Sequence, residues 1–266
     1  MKLKVLLGTL ALGACASAQA AMLQVTVTNV AQDSDFFLTP LWIGLHNGQF
    51  DLFDNNQPAS AGLELLAEEG NPSILSSEFV AATGGQGVEG FITNPAGFPG
   101  APVLDPGETG SLTLTIDDSS LNQFFSFASM VIPSNDSFIG NRRARAYRIF
   151  NDDGSFANPG DIEIFGRDIW DAGTEVNDPM GGAAFSALGG TSTDENGTVR
   201  RNGRDPLADF IGTGTAAGTT IGSAPGRRDL VARISFNAVD VPEPGSLALL
   251  GLGLVGLRTL RKRKHA

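Results

Sequence analysis

The stretch LQVTVTNV (23–30) alternates apolar and polar side chains with a period of two, the pattern of a strand with one face buried. Comparable signals recur at PLWIGLHN (40–47), SLTLTIDD (111–118), FFSFASMVIP (124–133), AYRIFN (146–151), DIEIFGRDIW (161–170) and DLVARISFNAVD (229–240). Turns rich in Gly, Pro and Asn separate them. Seven such strands predict an all-β fold, an antiparallel β-sandwich. One short helix is expected in PASAGLELLAEEG (58–70), where Ser60 is a candidate N-cap, Leu63, Leu66 and Ala67 share a face, and Gly70 suits the left-handed position after the last turn. It is expected to cover an open end or edge of the sandwich. Two stretches read as long loops: GGQGVEG (84–90) onward to GETG (107–110), and TSTDENGTVRRNG (191–203) into GTGTAAGTTIGSAPG (212–226). The Gly/Thr/Ala composition of the second favours disorder. Neither has the strand, G-K-[ST] and helix order of a phosphate cradle.

Both ends read as processing signals. MKLKVLLGTLALGACASAQA has Lys2 and Lys4, an apolar run from Val5 to Ala14 and an A-x-A site at Ala18 and Ala20, as in a secretory signal peptide spanning 1–20. Leu12-Gly13-Ala14-Cys15 offers acylation at Cys15 as the alternative. Residues 241–266 contain Pro242-Glu243-Pro244, an apolar stretch from Gly245 to Leu257 and a basic cluster of Arg258, Arg261, Lys262, Arg263 and Lys264. That apolar stretch is short beside the ~20 residues of a membrane span, and its basic end would face the cytoplasm. The three parts in this order resemble the PEP-CTERM sorting signal of Gram-negative bacteria. The resemblance implies export, transient membrane tethering and removal of the tail by an exosortase-type protease; a permanent single-span anchor is the other option.

The intervening domain, 21–240, suffices for one sizeable core. The ends hold seven of the 18 basic residues and one of the 29 acidic ones, leaving 11 arginines against 28 acids, a net charge near −17. Such a surface repels nucleic acid and anionic lipid and suits divalent cations. Cys15 is the only cysteine and departs with the signal peptide, so packing or bound metal must stabilise the exported domain without disulfides.

Few residues suggest catalysis. His46 is the only histidine outside the ends, no G-x-S-x-G elbow accompanies the serines, and a histidine-based zinc site fails on ligand count. His46 is expected to be a hydrogen-bonded strand-end residue. A glycosidase needs only two carboxylates, but no pair among the 28 is singled out, and no enzyme is predicted. NDDG (151–154) and DENG (194–197) fail the EF-hand pattern, because Gly160 and Gly203 fall where the twelfth-position acid is required. Both read as turns. Calcium is better matched: it takes six to eight oxygens, many from loop carboxylates. PSNDSFIG (133–140) and DAGTEVND (171–178) supply such groups just beyond predicted strands, where loops of a sandwich cluster.

At these two segments the chain resembles the N-terminal domain of spondins, and more closely the free-standing bacterial spondin-domain proteins. FASMVIPSNDSFIG (127–140), Trp170-Asp171-Ala172-Gly173-Thr174-Glu175 and DLFDNNQPASAGLELLAEEGNP (51–72) carry the likeness, in family order. It implies a C2-like antiparallel sandwich of about eight strands with a calcium ion among loops at one end. By that likeness the metal residues are Asp136, Asp171 and Glu175, the last standing where the family has aspartate. Asn135 and Asp178 are additional candidates without family support. The expected role is an exported calcium-binding adhesion or matrix module, its partner an exopolysaccharide or another surface protein. The alternatives are a structural exopolysaccharide or biofilm matrix protein without metal dependence, and a carbohydrate-active enzyme.

Overall fold

The computed structural model describes residues 21–31, 36–94, 102–203 and 207–239; the expected signal peptide, Cys15 and Pro242-Glu243-Pro244 lie outside the described residues. In chain order the first half forms β1 (Ala21–Asn29), β2 (Phe37–Leu38), β3 (Leu41–His46), α1 (Ala61–Glu69), α2 (Ser73–Thr83), β4 (Val88–Ile92), β5 (Thr109–Ile116) and β6 (Phe124–Ile132). There follow β7 (Ser137–Gly140), β8 (Tyr147–Arg148), β9 (Ile162–Phe165), β10 (Ile169–Asp171), β11 (Arg200–Arg201) and β12 (Leu230–Val239). One sheet has the order β5-β1-β12-β9. The larger runs β11-β10-β7-β6-β3-β4, with β2 and β8 also pairing β6. All pairings are antiparallel. The expected all-β sandwich is therefore present, built from more and shorter strands than the sequence pattern marks.

Period two determines the layers. Leu23, Val25 and Val27 of β1 pack with Leu41, Ile43 and Leu45 of β3, Phe125 and Phe127 of β6, and Ile162 and Ile164 of β9 to form the core between the sheets. The alternate residues Trp42, Ala128, Phe138 and Trp170 point to the outer face of the larger sheet. Leu63, Leu66 and Ala67 of α1 and Leu75 and Phe79 of α2 cover them. Each fully buried large side chain is worth about 2–3 kcal/mol, so these outward aromatics require a covering layer. The helices accordingly lie on a sheet face and not, as the sequence suggested, at an end or edge. β6 is buried at all nine positions because both its faces are covered.

Helix α1 begins and ends as expected. The Ser60 hydroxyl accepts from Leu63 N at 3.2 Å, and Gly70 takes φ 65° with its N–H donating to Leu66 O at 2.9 Å. Three expectations are corrected. A second helix, α2, follows directly; β4 lies inside the stretch read as loop; and DIEIFGRDIW is divided by a 3₁₀ turn at Gly166–Asp168, which sends β9 and β10 into different sheets. The stretch 212–226 is ordered, through Gly212 N to Ile221 O at 2.8 Å, Thr215 N to Thr219 O at 2.9 Å and the buried Ile221.

Candidate functional site

Strand β7 pairs β10 with Ser137 opposite Asp171, so the loop before β7 and the loop after β10 emerge side by side. Ala172 N donates to Asp136 O at 3.1 Å across this junction. The loop before β7 is secured from below: Ser134 donates to Val131 O and accepts from Ser137 N at 3.1 Å. Asp136 is wholly buried and Asp171 is 4 % exposed. Asp136 Oδ2 accepts from Thr174 N at 2.9 Å and Glu175 N at 3.3 Å. The turn after Asp171 requires its glycine. Gly173 has φ +72°, and a Cβ there would lie 2.5 Å from Thr198 O.

A third segment completes the arrangement. Residues 193–199 run beside 173–176, through Glu195 N to Thr174 O at 2.8 Å, Gly197 N to Gly173 O at 2.7 Å and Val176 N to Thr193 O at 2.9 Å. This brings in Glu195 and Arg200, neither of which the sequence singled out. Arg200 holds Glu195 through both terminal nitrogens at 2.8 Å and reaches Asp171 Oδ2 at 3.1 Å.

Asn177 sits between the two aspartates. Its Nδ2 is 3.0 Å from Asp136 Oδ1 and 3.0 Å from Asp171 Oδ2, so those oxygens lie within twice that distance of each other. Its Oδ1 is buried and has no hydrogen-bond partner. A buried polar atom without a partner costs roughly 1–3 kcal/mol.

The electrostatics are unfavourable to the charged carboxylates. Burial, then the Asp136 charge, pushes Asp171 up to about 7, and Arg200 offsets this only in part. Burial also raises Asp136, against the lowering by its bonds from Thr174, Glu175 and Asn177. Glu68, on the last turn of α1, is pushed up to about 7, chiefly by burial and further by Glu175, Glu64 and Asp136, while a bond to Thr174 lowers it. Several acids therefore face each other with one arginine among them.

Of the expected metal residues, Asp136 and Asp171 come together at this junction. Glu175 contributes its main-chain N–H to Asp136, while its charge acts on Glu68. Asn135 and Asp178 bond to one another beside the pair: Asp178 N donates to Asn135 Oδ1 at 3.0 Å, and Asn135 Nδ2 donates to Gly181 O at 3.1 Å. The Asp178 carboxylate accepts from Met180 N at 2.9 Å. Among the described residues no three Asp, Glu, His or Cys side chains converge as a metal-holding group. A hard cation here would take carboxylate oxygens from Asp136 and Asp171 and complete its shell from amide and main-chain oxygens, which is calcium's donor chemistry. The unpartnered Asn177 Oδ1 would be such an oxygen once the amide turned over, since its Nδ2 now faces both carboxylates.

His46 belongs elsewhere. It is buried, its Nδ1 accepts from Gly48 N at 3.0 Å, and its Nε2 therefore donates to Ser126 Oγ at 3.0 Å. Burial pulls its pKa down to about 4 and keeps it neutral.

Compared with known proteins, residues 37–186 match the family model described as Spondin_N, and residues 240–264 match the one described as the PEP-CTERM protein-sorting motif. No curated protein matches the chain. The first match contains Asp136, Asp171 and Asn177 and ends before Glu195 and Arg200.

Proposed function

Because the chain belongs to the Spondin_N family and carries a PEP-CTERM sorting motif, we propose that it is a calcium-binding adhesion or matrix module. The coarser part is established by those matches: the protein is exported across the inner membrane of a Gram-negative bacterium to the cell surface or extracellular space. The sorting motif implies processing at the C-terminus by an exosortase.

The calcium assignment is carried by one observation: two buried aspartates share a single amide nitrogen whose partner oxygen is left unsatisfied. Asp136 and Asp171 would hold the ion, with Asn177 and main-chain oxygens completing the shell. Calcium would offset the carboxylate repulsion and fasten the 134–137, 171–177 and 193–200 segments together. Metal binding would thereby become fold stability. Extracellular modules work at calcium affinities of about 0.1–1 mM, so the loops would be firm outside the cell and looser where calcium is scarce.

The test is the melting temperature of the secreted protein with calcium and with chelator. A hundredfold excess over Kd adds about 2.7 kcal/mol, or roughly 5–10 °C for a domain of this size. Asp171→Ala should remove the rise. Identical melting curves in calcium and chelator would overturn the assignment and favour a matrix role without metal.

A further inference from the structure

The arginines of the exported domain are unevenly placed. Four of the 11 fall in NRRARAYR (141–148), at Arg142, Arg143, Arg145 and Arg148. Arg148 pairs with Asp152 at 2.9 Å, and Arg167, Arg200, Arg201 and Arg233 are also in ion pairs. Arg142, Arg143 and Arg145 are exposed, and among the described residues none forms an ion pair. Arg227 and Arg228 are likewise unpaired but adjoin Asp229 in sequence. In a domain with more than two acids per arginine, three neighbouring free guanidiniums stand out.

The turn that presents them is firm. Asn141 is buried; its Oδ1 accepts from Phe127 N at 2.9 Å, and its Nδ2 donates to Ser126 Oγ and Arg143 O, each at 3.1 Å. Ala146 N closes the turn onto Arg143 O at 3.1 Å. Asp51 accepts a bond from the Ala144 main chain, so this nearby acid secures the backbone. Arg145 lies over the Phe124 ring at 5.5 Å.

Beneath Arg142 and Arg143 is a cavity of about 200 Å³ walled by Tyr147, Trp170 and Arg201, with the Arg201 guanidinium 4.7 Å above the Trp170 ring. Its acids are already engaged: Glu163 by Arg233 at 3.2 Å and Asp168 by Arg201 at 3.2 Å. The remaining free charges over the cavity are Arg142 and Arg143. Sites for drug-sized molecules occupy ~300–1,000 Å³, so this smaller one suits a single ring or an acidic side group. Guanidinium forks match carboxylates in two-point geometry, and the half-buried Tyr147 ring in the wall suits the apolar face of a sugar ring.

We propose that the Arg142–Arg145 turn and the cavity below it bind carboxylated sugar units of an acidic polysaccharide, Arg142 and Arg143 receiving the carboxylate. An anionic membrane is disfavoured because the turn offers only Ala144 and Ala146 to insert, and the large exposed hydrophobics, among them Met180, Leu188 and Ile211, lie outside it. The domain's overall negative charge is screened beyond ~10 Å at about 0.1 M salt, whereas contact charges are not. The site assumes the matrix role proposed above but does not depend on calcium.

The experiment passes the secreted protein, in chelator, over immobilised alginate, a polyuronate, with neutral dextran and phosphatidylglycerol vesicles as the other arms. Retention on alginate and not dextran is expected. A triple Arg142→Gln, Arg143→Gln, Arg145→Gln variant should bind alginate about tenfold or more weakly with an unchanged melting temperature. Lysine at the same three positions should restore part of the loss, since it returns charge without the fork. Equal retention on alginate and dextran, wild-type affinity in the glutamine variant, or vesicles bound in preference to alginate would each overturn the site. None of these results alters the calcium-dependent melting shift, so the two assignments fail separately.

Discussion

Two of the buried polar clusters among the described residues are finished differently. Around His46, Ser126 and Asn141 the polar side-chain atoms are bonded and the histidine stays neutral. Around Asp136 and Asp171 an amide oxygen has no partner, and burial with mutual repulsion raises the carboxyls. The first cluster lies on strands of the larger sheet and fastens a turn to it. The second lies where three loops meet. A satisfied network rigidifies a fold, whereas a partly satisfied one is costly unless something else completes it. Only the second leaves a buried oxygen unpartnered beside carboxyls that burial disfavours.

The largest effect is expected from breaking the satisfied cluster. Asn141→Ala would leave the buried Phe127 N–H without its acceptor, at ~1–3 kcal/mol, and would remove the Nδ2 bonds to Ser126 Oγ and Arg143 O, at about 0.5–1.5 kcal/mol each. A loss of about 3 kcal/mol, or roughly 6–12 °C in melting temperature, should follow in both calcium and chelator. An equal loss that calcium rescues would erase the distinction between the clusters.

Acid should separate them by sign. His46 has a folded pKa of about 4 against 6.5, so its contribution is complete above pH 6.5 and is lost as the pH falls toward 4. Asp171 and Glu68, raised to about 7, behave oppositely: in chelator their contribution is greatest at low pH and is lost as the pH climbs through 7. The stability difference between the protein and His46→Asn should therefore narrow by up to roughly 3 kcal/mol between pH 7 and pH 4, measured by urea denaturation. A pH-independent difference would show that His46 takes up its proton in the fold as readily as in the unfolded chain.

Legibility in the sequence followed the same division. Strands with period two and a helix with Ser60 and Gly70 at its ends declare themselves locally, and β1, β3, β5, β6, β12 and α1 lie where the pattern puts them. Helix α2 does not: Pro72 at its start makes no side-chain capping bond, and its buried residues form a narrow stripe of Leu75, Phe79 and Thr83. Strand β4 is disguised by glycines that look like turn residues. Gly90 is there for room, since a Cβ would lie 2.3 Å from Leu112 on β5. In the site, Asp136 and Asp171 were accessible because each follows or precedes a recognisable strand. Glu195 and Arg200 were not, because main-chain bonds to Gly173 and Thr174 bring them in from a stretch that reads as a turn.

The smallest predicted effect is the most discriminating. In chelator at pH 8, Asp171→Asn removes a carboxylate that burial and Asp136 disfavour, and it retains a side-chain oxygen for Gly173 N, now 2.9 Å from Asp171 Oδ1. Against this, Arg200 and Asn177 both lose Asp171 Oδ2 as acceptor, while Arg200 keeps its two-point hold on Glu195 and Asn177 its bond to Asp136. Relief of a buried, repelled charge should outweigh these two lost contacts, one of them from a half-exposed guanidinium, giving a gain of about 1 kcal/mol. At pH 5 the wild-type carboxyl is largely protonated in the fold, so the gain should vanish. Stabilisation at pH 8 by a change that also abolishes the calcium shift would mark Asp171 as kept for its ligand at the expense of the ligand-free fold. A loss of stability, equal at both pH values, would instead make the Asp171–Arg200 contact the purpose of the cluster and leave the two buried regions alike.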